Sequence, residues 1–275
     1  MQPAISDWDD AYANAAHIPG AEAILQAWPR DSEAFRARAA GRLDLAYGDH
    51  PREALDLFAP AGAPAGLVVY FHGGYWKAFD KTASSWLAAG PTARGWAAAI
   101  PSYPLCPEAR IGEIARSAAR AVARAAAEVP GPIVLAGHSA GGHLAARLLC
   151  ADGLLDAALR ARVARAVGIG GLYDLRPLLR TTMNAVLRLD RAEARAESPA
   201  LLEPAEGVEL MVWVGAEERP EFLRQSALMA TVWRGLGART ALVEARGRHH
   251  FDVIAPLAEP DSALTDALLG GPRAL

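Results

Sequence analysis

Ser139 is the residue with the clearest means of doing chemistry. It stands in Gly137-His138-Ser139-Ala140-Gly141, a G-x-S-x-G pattern. An apolar run over 132–136 precedes it, and an alanine- and leucine-rich helical pattern over 140–151 follows it. Strand, tight turn and helix form the context in which such a serine acts as a nucleophile. The flanking glycines have a steric reason to be there. The turn is sharp, the serine is held in a strained conformation, and only a missing Cβ on either side lets strand and helix approach.

A serine hydroxyl is a weak nucleophile at neutral pH. It needs a base to take its proton and a third group to orient that base. In one recurring chain order the acid follows the serine and the histidine comes last. Of the seven histidines, only His249 and His250 lie beyond position 143. His250 is preferred, because Phe251-Asp252 and an apolar turn after it give it a fixed place at the start of a short helix; His249 is the alternative. The acid belongs after an apolar run at 209–214, where the chain reads Gly215-Ala216-Glu217-Glu218-Arg219-Pro220. Glu218 stands at the tip of that turn and is preferred, with Glu217 next. Asp174, after the preceding strand, reads as a structural residue capping the turn before Leu175.

Acyl transfer also needs N–H donors aimed at a developing oxyanion. Ala140, which follows the serine, supplies one from its backbone. The loop His72-Gly73-Gly74-Tyr75-Trp76 follows an apolar strand and suits the second source, since its glycines let backbone N–H groups face inward. His72 comes too early in the chain to be the base and reads as a turn histidine that bonds backbone and braces the loop.

Positioning these groups requires strands that end beside one another. Strands are expected at 42–47, 54–58, 66–71, 96–103, 132–136, 163–169, 209–214 and 239–244. Helices are expected at 84–94, 111–129, 140–151, 221–236 and 261–269. The first two strands read as an antiparallel hairpin. The remaining alternation of strand and helix implies an α/β fold with a mostly parallel central sheet and helices on both faces. His72, Ser139, Glu218 and His250 all follow strands, at the sheet edge where such folds gather their chemistry. The segment 176–205 breaks the alternation and carries Pro177, Asn184, Ser198-Pro199 and Pro204. It is expected to be a small helical cap over the site.

The 275 residues fit a single domain spanning 1–275, and the 52% apolar content is enough for a sizeable core. A net charge of −3 offers no basic surface for nucleic acid. Arg116, Arg120 and Arg124 share a helical face and read as a solvated one. Cys106 and Cys150 are too few for a disulfide scaffold and lack metal-site spacing. The acidic start, Met1 to Asp10, is unlike a signal peptide, and no apolar run reaches membrane-span length. A soluble cytoplasmic protein is expected, with no metal or organic cofactor and with homodimerisation open.

These residues resemble the α/β-hydrolase superfamily, in the branch joining hormone-sensitive-lipase-like esterases to kynurenine formamidases (arylformamidases). His72-Gly73-Gly74-Tyr75-Trp76 is similar to the H-G-G-x-W loop of the formamidases; the esterases carry a third glycine where this chain has Tyr75. Gly137 to His143 resembles the elbow of the same group. Tyr103, Leu105, Pro107 and Glu108 resemble its Y-x-L-x-P-E segment. Pro220-Glu221-Phe222 with Gln225-Ser226, and His250-Phe251, resemble its pattern around acid and base. The resemblance implies an α/β-hydrolase fold and a triad of Ser139, Glu218 and His250, with Glu218 where many relatives carry Asp. It implies an oxyanion hole from the backbones of Gly74, Tyr75 and Ala140. The expected partner is a small aryl formamide or short-chain acyl ester, with Tyr75, Trp76 and Tyr173 as aromatic walls.

Overall fold

The strands are β1 (Gly41–Ala46), β2 (Ala54–Phe58), β3 (Leu67–Phe71), β4 (Ala97–Pro101), β5 (Ile133–His138), β6 (Val163–Ile169), β7 (Glu209–Gly215) and β8 (Arg239–Ala245). In this computed structural model they form one eight-stranded sheet in the order β1-β2-β4-β3-β5-β6-β7-β8. The structure describes residues 5–270. Positions 1–4 and 271–275, the ends of the expected domain, lie outside the described residues. β1 pairs antiparallel with β2, and β2 antiparallel with β4. Every pairing from β4 through β3 to β8 is parallel.

The strand sequences explain this layering. Leu67-Val68-Val69-Tyr70-Phe71 is buried at every position, as a strand covered on both faces must be. Leu67, Val69 and Phe71 enter one core with Ile114, Ala118, Leu144 and Phe222. Val68 and Tyr70 enter the other with Trp28, Leu87, Leu257 and Leu264. Alternate residues of one strand thus join two separate cores, which is the consequence of period-two side-chain direction.

Most helices start where the sequence places them, and three fall short of their expected length, the one at 111–129 ending at Ala126. The expected helix at 84–94 divides into a turn at Ser85–Ala88 and a short helix at Ala89–Ala93. Gly90 and Pro91 fall inside that stretch, and both are poor at propagating a helix. The helix after Ser139 runs over Ala140–Arg147 and stops before 151. There Cys150 forms a bridge with Pro204, and Ala151 N–H donates to the Glu203 carbonyl at 2.9 Å. The Ile111–Ala126 helix buries Ile111, Ile114, Ala118 and Val122 and turns its arginines outward. Arg116 is exposed to solvent, while Arg120 pairs with Glu53 and Arg124 with Glu128, so ion pairs occupy two of the three arginines on this face. Cys106 and Cys150 are buried free thiols. No helix among the described residues is long and apolar enough to cross a membrane.

Candidate active site

β5 delivers the serine. Ser139 has φ 55° and ψ −116°, outside the regions that L-residues favour. Such strain persists only where the surroundings over-determine it. They do so here: a Cβ on Gly137 would lie 2.2 Å from the Gly141 carbonyl oxygen, and one on Gly141 would lie 2.0 Å from the Phe71 carbonyl oxygen. Ser139 N–H is tied to the Ile169 carbonyl at 2.8 Å, fixing the turn against β6.

The loops after β7 and β8 bring Glu218 and His250 together. His250 Nδ1 donates to Glu218 Oε2 at 2.5 Å, with the two side chains 3% and 0% exposed. The second carboxylate oxygen accepts the Gly215 N–H at 3.0 Å. Both oxygens are therefore engaged, and the carboxylate has one orientation. Gly170, at φ +53°, lies against this pair. A Cβ there would sit 2.9 Å from Glu218 Oε1 and 3.0 Å from His250 Nδ1. The runners-up go elsewhere. Glu217 is exposed. His249 Nδ1 lies 3.1 Å from Asp252 Oδ1 and stays within its own turn. Asp174 forms a two-pronged pair with Arg176, as a structural residue would.

The loop after β3 carries further strain. Gly74 has φ +103°, and Tyr75 and Trp76 follow at +50° and +53°. Three successive residues at positive φ make a tight turn of the backbone beside Ser139. The N–H groups of Gly74, Tyr75 and Ala140 donate to no acceptor among the described residues. His72 braces this loop: its Nδ1 donates to the Gly73 carbonyl at 2.7 Å. Its ring stacks on Tyr103 at 4.1 Å, and Tyr103 Oη donates to the His72 carbonyl at 2.7 Å.

Ser139 and His250 share one cavity of about 430 Å³ with Gly73, Gly74 and Tyr75. That volume suits a small organic ligand. Its walls include Trp28, Phe79 and Phe251. Tyr75 is among the lining residues, whereas Trp76 and Tyr173 are not. Trp76 is fully buried with its ring edge-on to His143 at 5.0 Å, and the buried Tyr173 packs its hydroxyl against Gly168 and Gly171. Two of the three aromatics expected as walls are therefore core residues.

The cover also differs from expectation. Of segment 176–205, Met183 alone is among the residues lining the cavity; Tyr12 to Ala16, Leu25 and Trp28 contribute the rest of that side. This N-terminal roof is pinned at several points. Tyr12 Oη donates to Glu221 at 2.8 Å, Tyr75 Oη donates to the Tyr12 carbonyl at 2.7 Å, and Arg219 pairs with Asp10. Sequence reasoning missed these residues because no motif links 12–28 to Ser139. The concentration of Trp8, Tyr12 and Trp28 near the start was the available signal.

Three further histidines are held neutral by burial. His72 is pushed down to about 4 and His143 to about 3, chiefly by burial in each case. His138 is driven well below the usual histidine range, first by burial and then by the nearby His250. Its Nε2 donates to the His250 carbonyl at 2.8 Å, tying the elbow to the loop that carries His250. Unfolding lets all three protonate from an ordinary pKa of about 6.5. Between that value and about 4 the unfolded chain binds more protons, so stability falls as pH falls. Each of the three should contribute a slope that approaches about 1.4 kcal/mol per pH unit toward pH 5. Urea unfolding at a series of pH values from neutral to 5 checks this, and a level profile would contradict it.

Comparison with known proteins agrees with this geometry. The family model described as alpha/beta hydrolase fold matches residues 68–253. The chain belongs to the α/β-hydrolase family. Among relatives, it is 29% identical to kynurenine formamidase of Salmo salar over 252 residues, 86% of this chain and 84% of that one. It is 27% identical to the Drosophila melanogaster kynurenine formamidase, over 79% and 77% of the two chains. A crystal structure from Silicibacter sp. TM1040, provisionally assigned as a thioesterase, is 48% identical with a TM-score of 0.91, covering 96% of this chain and 99% of that one. Thermogutta terrifontis esterase 2, at 23% identity and TM-score 0.65 over 84% and 94% of the chains, shares the fold. With this α/β-hydrolase fold and these relatives, the chain is a hydrolase.

Proposed function

We propose that this α/β-hydrolase is a serine enzyme that cleaves a small aryl formamide, of the N-formylkynurenine kind, or a short-chain acyl ester through an acyl-enzyme. The observation that carries the proposal is the 2.5 Å bond from His250 Nδ1 to the buried Glu218, with His250 lining the same cavity as Ser139. A carboxylate that accepts from Nδ1 fixes the tautomer in which Nε2 holds a lone pair. Nε2 takes the Ser139 proton as Oγ attacks the carbonyl carbon. The negative charge that develops on the carbonyl oxygen is met by the N–H groups of Gly74, Tyr75 and Ala140. Collapse of the tetrahedral intermediate expels the amine or alcohol, which takes the proton back from His250. Water repeats the sequence on the acyl-enzyme, with His250 again as base, and releases the acid.

The aromatic walls support an aryl leaving group, and the curated relatives named kynurenine formamidase favour the formamide. The name given to the 48%-identical structure favours an acyl thioester instead, as a second reading. The catalytic unit would be one α/β-hydrolase domain in which Met183 and the N-terminal roof together act as the cap. Two measurements test the proposal. A fluorophosphonate probe should label Ser139. The kcat/KM for N-formylkynurenine should then exceed those for p-nitrophenyl acetate, p-nitrophenyl butyrate and a short acyl thioester. A faster ester or thioester would move the substrate class, and absence of labelling would remove the serine mechanism.

A further inference from the structure

The N-terminal roof places one unsatisfied polar group beside the catalytic cavity. Asn14 lines that cavity and is 5% exposed. Its amide orientation follows from its neighbours. Tyr75 Oη has one proton, and donates it to the Tyr12 carbonyl at 2.7 Å. Burial, with Glu218 and Glu221 nearby, drives the Tyr75 phenol far above its ordinary pKa, so that proton stays in place. Toward Asn14 the same oxygen can only accept, and Asn14 Nδ2 lies 3.5 Å from it. The amide nitrogen is therefore the end facing Tyr75, which leaves Oδ1 as the free end. Asn14 Oδ1 is buried and has no hydrogen-bond partner among the described residues. A buried acceptor left unpaired is costly and calls for a partner.

We infer that Asn14 is a specificity-determining residue, whose Oδ1 accepts the N–H of an amide substrate's leaving group. The inference rests on the serine-hydrolase reading and deepens it. An aryl formamide carries an N–H on the scissile nitrogen, and the departing arylamine keeps it. The bridging atom of an ester or thioester has no proton to give. A site built around an acceptor discriminates against the analogue that lacks the donor, because the acceptor then stays desolvated and unpaired. Asn14 Nδ2 lies against the Tyr75 hydroxyl, and the Tyr75 backbone N–H is one of the proposed oxyanion donors. The same residue would thus carry a link between the roof and the reacting carbonyl.

The test compares formanilide with phenyl formate, which differ by N–H against O at the scissile bond, with the spontaneous rate subtracted. The readout is the anilide-to-ester ratio of kcat/KM. Asn14→Leu should lower that ratio by about tenfold or more, the effect of losing one buried hydrogen bond. Asn14→Ala should do the same, and replaces the leucine variant if leucine does not fit. Asn14→Asp keeps an acceptor oxygen and should hold the ratio within about threefold of wild type. Equal losses on both substrates in the leucine and alanine variants would overturn the assignment and make Asn14 a support for Tyr75. So would an equal fall of the ratio in the aspartate variant. A wild-type enzyme that cleaves the ester and leaves the anilide intact overturns it as well, while sparing the serine mechanism. Failure of that mechanism shows separately, as Ser139→Ala retaining activity on both substrates.

Discussion

Ser139→Ala should reduce kcat by on the order of 10⁶-fold while leaving the fold unchanged. The proposed mechanism makes a covalent bond through Oγ, and no neighbouring hydroxyl replaces it among the cavity-lining residues on the elbow side. His250 would keep its bond to Glu218, but would have no proton to take. Alanine also lacks nothing that the elbow needs structurally. The Ser139 side chain makes no capping hydrogen bond to the helix it opens, and the turn is held by the Ser139 N–H bond to Ile169. Alanine at φ 55° is no more strained than serine, so the melting temperature should stay near that of the wild type. The check is a single-turnover assay on protein purified free of contaminating esterases, alongside a thermal melt. Activity within tenfold of wild type, in folded protein, would remove Ser139 from the mechanism.

Much of the fold was legible because burial on two faces writes a strong pattern. The runs at 67–71 in β3, 133–136 in β5 and 210–214 in β7 are apolar without interruption, and such runs beside glycine or proline have few other interpretations. The helices were less legible at their ends. Alanine-rich stretches propagate a helix on propensity alone, and what stops the elbow helix is a tertiary bridge between Cys150 and Pro204. Nothing local to 140–151 announces that contact.

The site divides along the same line. Positions fixed by local strand-turn geometry could be placed together from the sequence: Ser139 by its glycines, Glu218 and His250 by their place after successive strands. Two of the three expected aromatic walls could not. Trp76 sits one residue beyond Tyr75, yet its side chain turns into the core against His143. Tyr173 follows a strand end, but its hydroxyl packs under Gly171. Side-chain direction in a loop with φ near +50° follows no period that a sequence displays. The roof residues were invisible for a different reason. Tyr12 meets Glu221 across most of the chain's length, and only the folded sheet brings them together.

Glu218→Gln should cost roughly 10⁴-fold in kcat, by analogy with other triads whose carboxylate becomes an amide. Both carboxylate oxygens are occupied, Oε1 by the Gly215 N–H and Oε2 by His250 Nδ1. An amide in this space has one oxygen for two donors. If the oxygen stays with Gly215, the NH₂ group faces His250. The ring must then present a lone pair at Nδ1 and carry its proton on Nε2. That tautomer cannot take the Ser139 proton. If the oxygen instead faces His250, the NH₂ opposes the Gly215 N–H, donor against donor, at a distance set for a hydrogen bond. The substitution therefore either reverses the tautomer or strains the turn that holds the acid. Glu217→Gln changes an exposed side chain and should leave the rate near that of the wild type. Comparing kcat for both variants at neutral pH separates the neighbours. A larger loss in Glu217→Gln would move the orienting role by one residue. Equal small losses would mean that His250 holds its working tautomer without help from either carboxylate.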